Sequence, residues 1–170
     1  MRLWCWLFVG LLALGGNGCA GYRLGPVNGL AAGARSVQIV PFSNQTLEPR
    51  LTDAVTAQLH KQVQRDGTYR LATHDDGDIV VSGTITGYVR HEVSFSASDV
   101  FTVTDYRLEM IAQVTARERS SGKIILERPV TGTTLIRVTT DLTSTERQAL
   151  PLLAADLARN VIELLAEGSW

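Results

Sequence analysis

The sequence predicts an α+β fold: two helices packed on one face of a four-stranded mixed sheet, in the order β-α-β-β-β-α. Three observations carry this. Residues 79–95 and 101–117 alternate apolar and polar side chains over long runs, as half-exposed antiparallel strands do. Residues 47–66 and 143–167 instead repeat their apolar side chains every three or four positions, as amphipathic helices do. A further alternating stretch, 124–139, follows the turn Ser120-Ser121-Gly122-Lys123 and completes a meander. Helices gathered on one face of that sheet would bury every apolar stripe in a two-layer core.

Ser36 to Phe42 (SVQIVPF) is the first strand. Its apolar side chains fall on both parities, as in a strand covered on both faces, and Pro41 limits pairing at its end. Ser43 to Thr46 reads as a turn. The first helix follows from Leu47 to Asp66, with Pro49 in its first turn and Gly67 as its stop. Leu51, Ala54, Val55, Leu59 and Val63 form its buried stripe. Thr68 to Leu71 is an extended link, and His74 to Asp78 is a loop. In the second strand Ile79, Val81, Gly83, Ile85, Gly87, Val89, His91, Val93 and Phe95 are expected to face the helices. Gly83 and Gly87 would leave a helix room. Tyr88, Arg90 and Glu92 are expected on the open face. In the third strand Tyr106, Leu108, Met110, Ala112, Val114 and Ala116 face inward, and Asp105, Arg107 and Glu109 face outward. The reversed parity of Phe101 and Val103 implies a bulge near Thr104. Pro129 makes the fourth strand an edge or bulged strand. Thr143-Ser144-Thr145-Glu146 has the spacing of a helix capping box, and Pro151 implies a kink or restart in the final helix.

Ahead of this domain stand Met1-Arg2, the apolar run Leu3 to Leu14 and the small-residue exit Gly15-Gly16-Asn17-Gly18. That is the order of a secretory signal. The apolar run is shorter than the roughly 20 residues a bilayer span needs. Cys19 follows at once, which implies a lipid anchor: a diacylglyceryl group on the thiol and an acyl chain on the freed amine. Each buried methylene contributes about 0.8 kcal/mol, so several chains hold a protein firmly. Gly16 stands where an aliphatic residue is usual, three before the cysteine, so ordinary cleavage with a free Cys19 stays open. Ala20 lacks the Asp that in many enterobacterial lipoproteins marks inner-membrane retention, which by that likeness directs the chain to the outer membrane. The expected organisation is a signal peptide at 1–18, a lipid-anchored tether at 19–35 and a single α+β domain at 36–170.

Removal of residues 1–18 leaves 152 of 170 residues, enough for one buried core. The net charge of −1 lacks the basic excess of a nucleic-acid binder, so no nucleic-acid partner is expected. Cys5 falls in the removed segment, so Cys19 has no internal disulfide partner and belongs to no cysteine cluster. His60, His74 and His91 sit on separate elements, and neither a Gly-x-Ser-x-Gly elbow nor a phosphate loop occurs. Asp75, Asp76 and Asp78 lack EF-hand spacing and read as a solvated turn. No catalytic residue, metal site or cofactor is expected. The remaining candidates are the arginines Arg90, Arg107 and Arg137, because guanidinium grips phosphate bidentately. Their alternative role is a self-neutralising lattice with Glu92 and Asp105 on a wet face.

The opening Cys19-Ala20-Gly21-Tyr22-Arg23-Leu24 and the stretch VQIVPFSNQTLEPRLTDAVTAQLHKQVQRDGTYRLA begin an ordered set. DIVVSGTITGYVR, YRLEMIAQVTARERSSGKII and RQALPLLAADLARNVIELL continue it. Together they resemble the LPS-assembly lipoprotein family of the LptE type over nearly the whole chain. The resemblance implies a non-enzymatic outer-membrane lipoprotein facing the periplasm. It would plug the β-barrel translocon that inserts lipopolysaccharide, help that barrel assemble, and bind lipopolysaccharide. The family's lipid contacts are basic residues near strand ends. The connection Ser96-Ala97-Ser98-Asp99 has no base, so Arg90, Arg107 and Arg137 stand in by location. VPFSNQT, LTDAVTAQL and DIVVSGTI are also similar to lipoproteins of curli secretion and to activators of peptidoglycan synthases, which act by protein–protein contact. The three-strand meander followed by one C-terminal helix favours the first resemblance.

Overall fold

The computed structural model describes residues 32–138 and 141–167. The leader, Cys19, and Tyr22 and Leu24 of the tether lie outside the described residues. The elements are β1 (Ser36–Ile39), β2 (Ser43–Asn44), α1 (Leu51–Asp66), β3 (Arg70–Leu71), β4 (Ile79–Ser96), β5 (Asp99–Glu118), β6 (Ile124–Arg137) and α2 (Leu142–Glu167).

The sheet has six strands rather than four. Its order is β3-β1-β4-β5-β6, and β2 joins β4 on the same edge as β1. β1 pairs parallel with both β3 and β4, β2 pairs parallel with β4, and β4, β5 and β6 form the antiparallel meander. The two added strands are only two residues long, too short for a period to show. In the sequence each therefore has only the marks of a turn or a link. β1 and β2 are one extended segment broken around Pro41, which has no N–H to give. Pro129 sits on β6, an edge strand.

The core lies between the sheet's inner face and the two helices. Leu51, Val55, Leu59 and Val63 bury the stripe of α1. Leu153, Leu157, Val161 and Leu165 bury that of α2, and Ile79, Val81, Ile85, Leu108, Met110, Ala112 and Val114 meet them from the sheet. α1 starts at Leu51 rather than Leu47, which is fully exposed in the preceding loop. Gly67 stops it with φ of 74°, a left-handed conformation that costs glycine nothing. The buried Tyr69 hydroxyl donates to the Leu165 carbonyl at 2.7 Å, which satisfies one of the orphan acceptors at the end of α2.

Three finer expectations change. Asp141, not Thr143, caps α2: its Oδ2 accepts the Ser144 N–H at 2.8 Å, and Glu146 is thereby free for another partner. Of the kink or restart expected at Pro151, the restart does not occur: α2 runs through it as one helix. The space at Gly83 is filled by the Phe42 ring rather than by a helix, since a Cβ there would lie 2.5 Å from the ring. The residue that does admit a helix is Gly132 on β6, where a Cβ would come 2.7 Å from both Leu157 Cβ and Leu157 N.

The largest correction concerns β4. Its pairing with β5 shifts between Ile85 and Gly87, so Thr86 is a bulge and the side chains from Tyr88 to Glu92 change face. Tyr88, Arg90 and Glu92 then stand opposite Met110, Leu108 and Tyr106 on the helix side. Val89 and His91 stand opposite Glu109 and Arg107 on the open side. Further shifts occur from Glu92 to Ser96; the one between Ser94 and Phe95 skips Thr104 on β5, where a bulge was expected. β6 ends at Arg137 opposite Asp105, so the tip of the β4–β5 hairpin is two-stranded.

Candidate functional site

The open face of the meander is built from alternate residues of three strands. Across one row run His91, Arg107 and Leu135; across the next run Val89, Glu109 and Thr133. Asp105 and Arg137 close the row nearest the hairpin tip. No described element covers these side chains. Leu135 is 65% exposed and Val89 41%, which are large values for aliphatic side chains beside a packed core. Cationic and aliphatic groups thus share one exposed surface, which suits a ligand with both an anionic and an apolar part.

The three candidate arginines are not one cluster. Arg107 and Arg137 share the open face, as expected. Arg137 Nε donates to Asp105 Oδ1 at 2.8 Å. That bond, with a second from the Thr104 hydroxyl, holds the Asp105 carboxyl below its usual range and raises the Arg137 guanidinium. Arg107 is exposed and makes no ion pair among the described residues. Arg90 lies on the other face, turned there by the Thr86 bulge, with its Nε 2.8 Å from Glu146 Oε1 of α2. In place of one lattice of these arginines with Glu92 and Asp105 there are two separate pairs, one on each face.

His91 was expected among the helix-facing side chains. It belongs instead to the open face, with Nε2 3.5 Å from Glu109 Oε2. The available signal was Gly87, since a glycine inside a strand often marks a bulge. Cys19 lies outside the described residues. Two of the three aspartates of the 74–78 loop have structural partners: Asp78 Oδ2 accepts both the N–H and the hydroxyl of Ser36 at 2.7 Å, and Asp75 accepts from Gln38 at 2.7 Å. The Ser36 bonds hold the Asp78 carboxyl below its usual value. Among the described residues no group of three or more histidine, cysteine or acidic side chains converges as a metal site would. No helix among them is long and apolar enough to cross a membrane.

On the helix side, the same strand borders a second feature. A groove of about 450 Å³ separates Gln45–Glu48 from Thr86–Arg90. The Tyr88 hydroxyl, beside this groove, is pushed up to about 12 by burial and by the nearby Glu146 carboxylate. Burial likewise raises Glu146, and Arg90 only partly offsets it.

Known folds share this architecture at low identity. The hypothetical protein CT253 of Chlamydia trachomatis is similar with a TM-score of 0.58 and 10% identity, covering 81% of this chain and 98% of that one. Protein XCC0632 of Xanthomonas campestris is similar with a TM-score of 0.57 and 9% identity, over 86% and 92% of the two chains. A minor lipoprotein of Acinetobacter baumannii follows at 0.51 and 14%, over 78% and 93%. At such identities these likenesses establish the fold alone. No curated protein sequence matches the chain. The lipopolysaccharide-assembly family LptE matches residues 34–165, from the start of β1 almost to the end of α2. The chain therefore belongs to the LptE lipopolysaccharide-assembly family.

Proposed function

We propose that this protein is an outer-membrane lipoprotein, anchored through Cys19 and facing the periplasm. It occupies the lumen of the β-barrel translocon that inserts lipopolysaccharide, and it helps that barrel assemble. The observation that carries this reading is the family match across the whole described domain. It acts by contact rather than catalysis.

The open face is the surface assigned to lipopolysaccharide. Arg107 is uncommitted and can give a phosphate its planar donor fork. Arg137 shares its donors with Asp105. Leu135 and Val89 offer aliphatic contact beside them. Arg90, on the helix side at the β4 edge, is the outlying member of the set.

A pull-down from membranes in mild detergent tests the partner. A large outer-membrane barrel should be recovered at roughly equal amounts. Recovery of peptidoglycan synthases or a secretion pore in its place would overturn the reading and favour contact with another assembly system. Lipopolysaccharide binding is tested by Arg107→Glu with Arg137→Glu. Loss of binding by a variant with unchanged circular dichroism supports the assignment, and unchanged binding rejects it.

A further inference from the structure

The outer half of β4 has a bare edge. β1 covers the inner half of that side of β4 at Ile79–Val81, and β2 covers it at Thr84–Ile85. The last bond is from the Gln45 N–H to the Ile85 carbonyl, at 2.9 Å. Beyond it, from Thr86 to Ser96, no described strand pairs with that side. A row of backbone donors and acceptors is left open, and such a row is a template for another strand. No proline falls in this stretch to blunt it.

Two polar atoms with incomplete hydrogen bonding lie beside the same edge. The Tyr88 hydroxyl is shielded from solvent and has no hydrogen-bond partner, and Glu146 Oε1 has none beyond its ion pair with Arg90. Arg90 Nε is near that oxygen but does not align with it as a hydrogen bond. Buried polar atoms nearly always have partners, so an unsatisfied pair is a sign of something that arrives from outside. A donor from outside would serve both atoms, because the Tyr88 oxygen can accept and the Glu146 carboxylate only accepts. Glu48 lines the groove too, so the local balance is two carboxylates against the single guanidinium of Arg90. Leu47 stands fully exposed on the rim with Val89 opposite, which leaves aliphatic surface for flanking side chains.

We propose that an extended segment of the partner barrel adds to β4 between Thr86 and Ser96 as a further strand, placing a lysine or arginine in the groove against Tyr88 and Glu146. The identity of the donor rests on the function proposed above; the strand-accepting edge does not. Closed barrel walls have no free edge. The segment is therefore a loop or a terminal arm of the barrel chain, outside its wall. Main-chain bonds would supply affinity, and the basic side chain would set register.

The test uses the full chain in its host, with a photo-crosslinking residue replacing Leu47, Val89 or Val93 in turn. The expected adducts from Val89 and Val93 fall in one short stretch of the barrel chain, stepped along it in register. Glu146→Gln should weaken the complex about thirty-fold or more, as loss of one partner of a desolvated charged contact does, without lowering the melting temperature of the free protein. Adducts scattered over the barrel wall, adducts to a second copy, or undiminished recovery with Glu146→Gln overturn the proposal while the barrel reading stands. A stepped set of adducts on a protein other than a barrel overturns the barrel reading and keeps the edge as a strand acceptor.

Discussion

Gly132→Ala is the sharpest probe of how α2 sits on the sheet. A methyl at this position would meet Leu157 Cβ and Leu157 N at 2.7 Å and the Leu153 carbonyl at 2.8 Å. None of these atoms can rotate away, because each is backbone or the first carbon of a side chain. Relief requires the helix to lift, and lifting it opens a gap over Leu153, Leu157 and Val161, all of them fully buried. Overpacking of this kind costs about 1–3 kcal/mol. A domain of this size loses about 2–4 °C of Tm per kcal/mol, so the expected fall is about 2–12 °C. Urea unfolding should show a lower midpoint with an unchanged slope. Leu157→Ala should not rescue the variant, because alanine keeps both contacted atoms of residue 157. Gly122→Ala is the comparator. Nothing lies within 4 Å of a Cβ there, but its φ of 69° strains any other residue by roughly 1–2 kcal/mol. A melting temperature for Gly132→Ala equal to that of the parent protein would refute the close approach of α2 to β6.

Other outcomes follow from the same contacts. Tyr69→Phe should lose about 1 kcal/mol in urea unfolding, because the Leu165 carbonyl is left without its buried donor. Glu146→Gln should raise the free protein's melting temperature at pH 7 by the equivalent of no more than about 1 kcal/mol, given its partial exposure. Its folded pKa lies above the unfolded value, so ionisation in the folded state is what costs stability. The gain should disappear below about pH 4.3, where both states are protonated; a gain that persists there contradicts the electrostatic cause. Asp78 has the opposite sign. Its folded pKa is lowered, so its contribution is present above about pH 3.9 and is lost as pH falls through the folded value. Ser36→Ala should therefore destabilise at pH 7 and have a smaller effect at pH 2.5, measured by urea midpoints. Intact mass spectrometry of the mature protein should show acylated Cys19; a free thiol there removes the anchor.

The helices and the meander were readable because their periods persist over many residues. Val55, Leu59 and Val63 announce α1, and Leu108 to Ala116 announce β5, whatever their neighbours do. Two-residue strands carry no period, so Ser43–Asn44 and Arg70–Leu71 were found only once their partners on β4 and β1 were in place. The open face suffered from a different weakness. Alternation predicts faces only while the count is unbroken, and a single bulge at Thr86 reverses the assignments on β4 from Tyr88 to Glu92. Arg107 and Arg137 escaped because they lie on β5 and β6, beyond its reach. Asp141 was missed as a cap because the capping-box spacing of Thr143 and Glu146 offered a complete local alternative. Glu146 pairs across space with Arg90 instead, a contact between residues far apart in sequence.

The mixed pairing of the sheet also sets an order of assembly. β4, β5 and β6 are consecutive and joined by tight turns, so their hairpins close small loops and form on the microsecond scale. β1 meets β4 only after α1 and β3 have been traversed, a longer loop whose closure entropy comes before its reward. The meander should therefore be formed in the folding transition state while the β1–α1–β3 flank is still loose. Shortening Val114 would then slow folding, whereas shortening Val37 would chiefly speed unfolding. A chain that unravels from the flank first exposes the other half of the β4 edge, at Ile79–Val81, before it loses its meander.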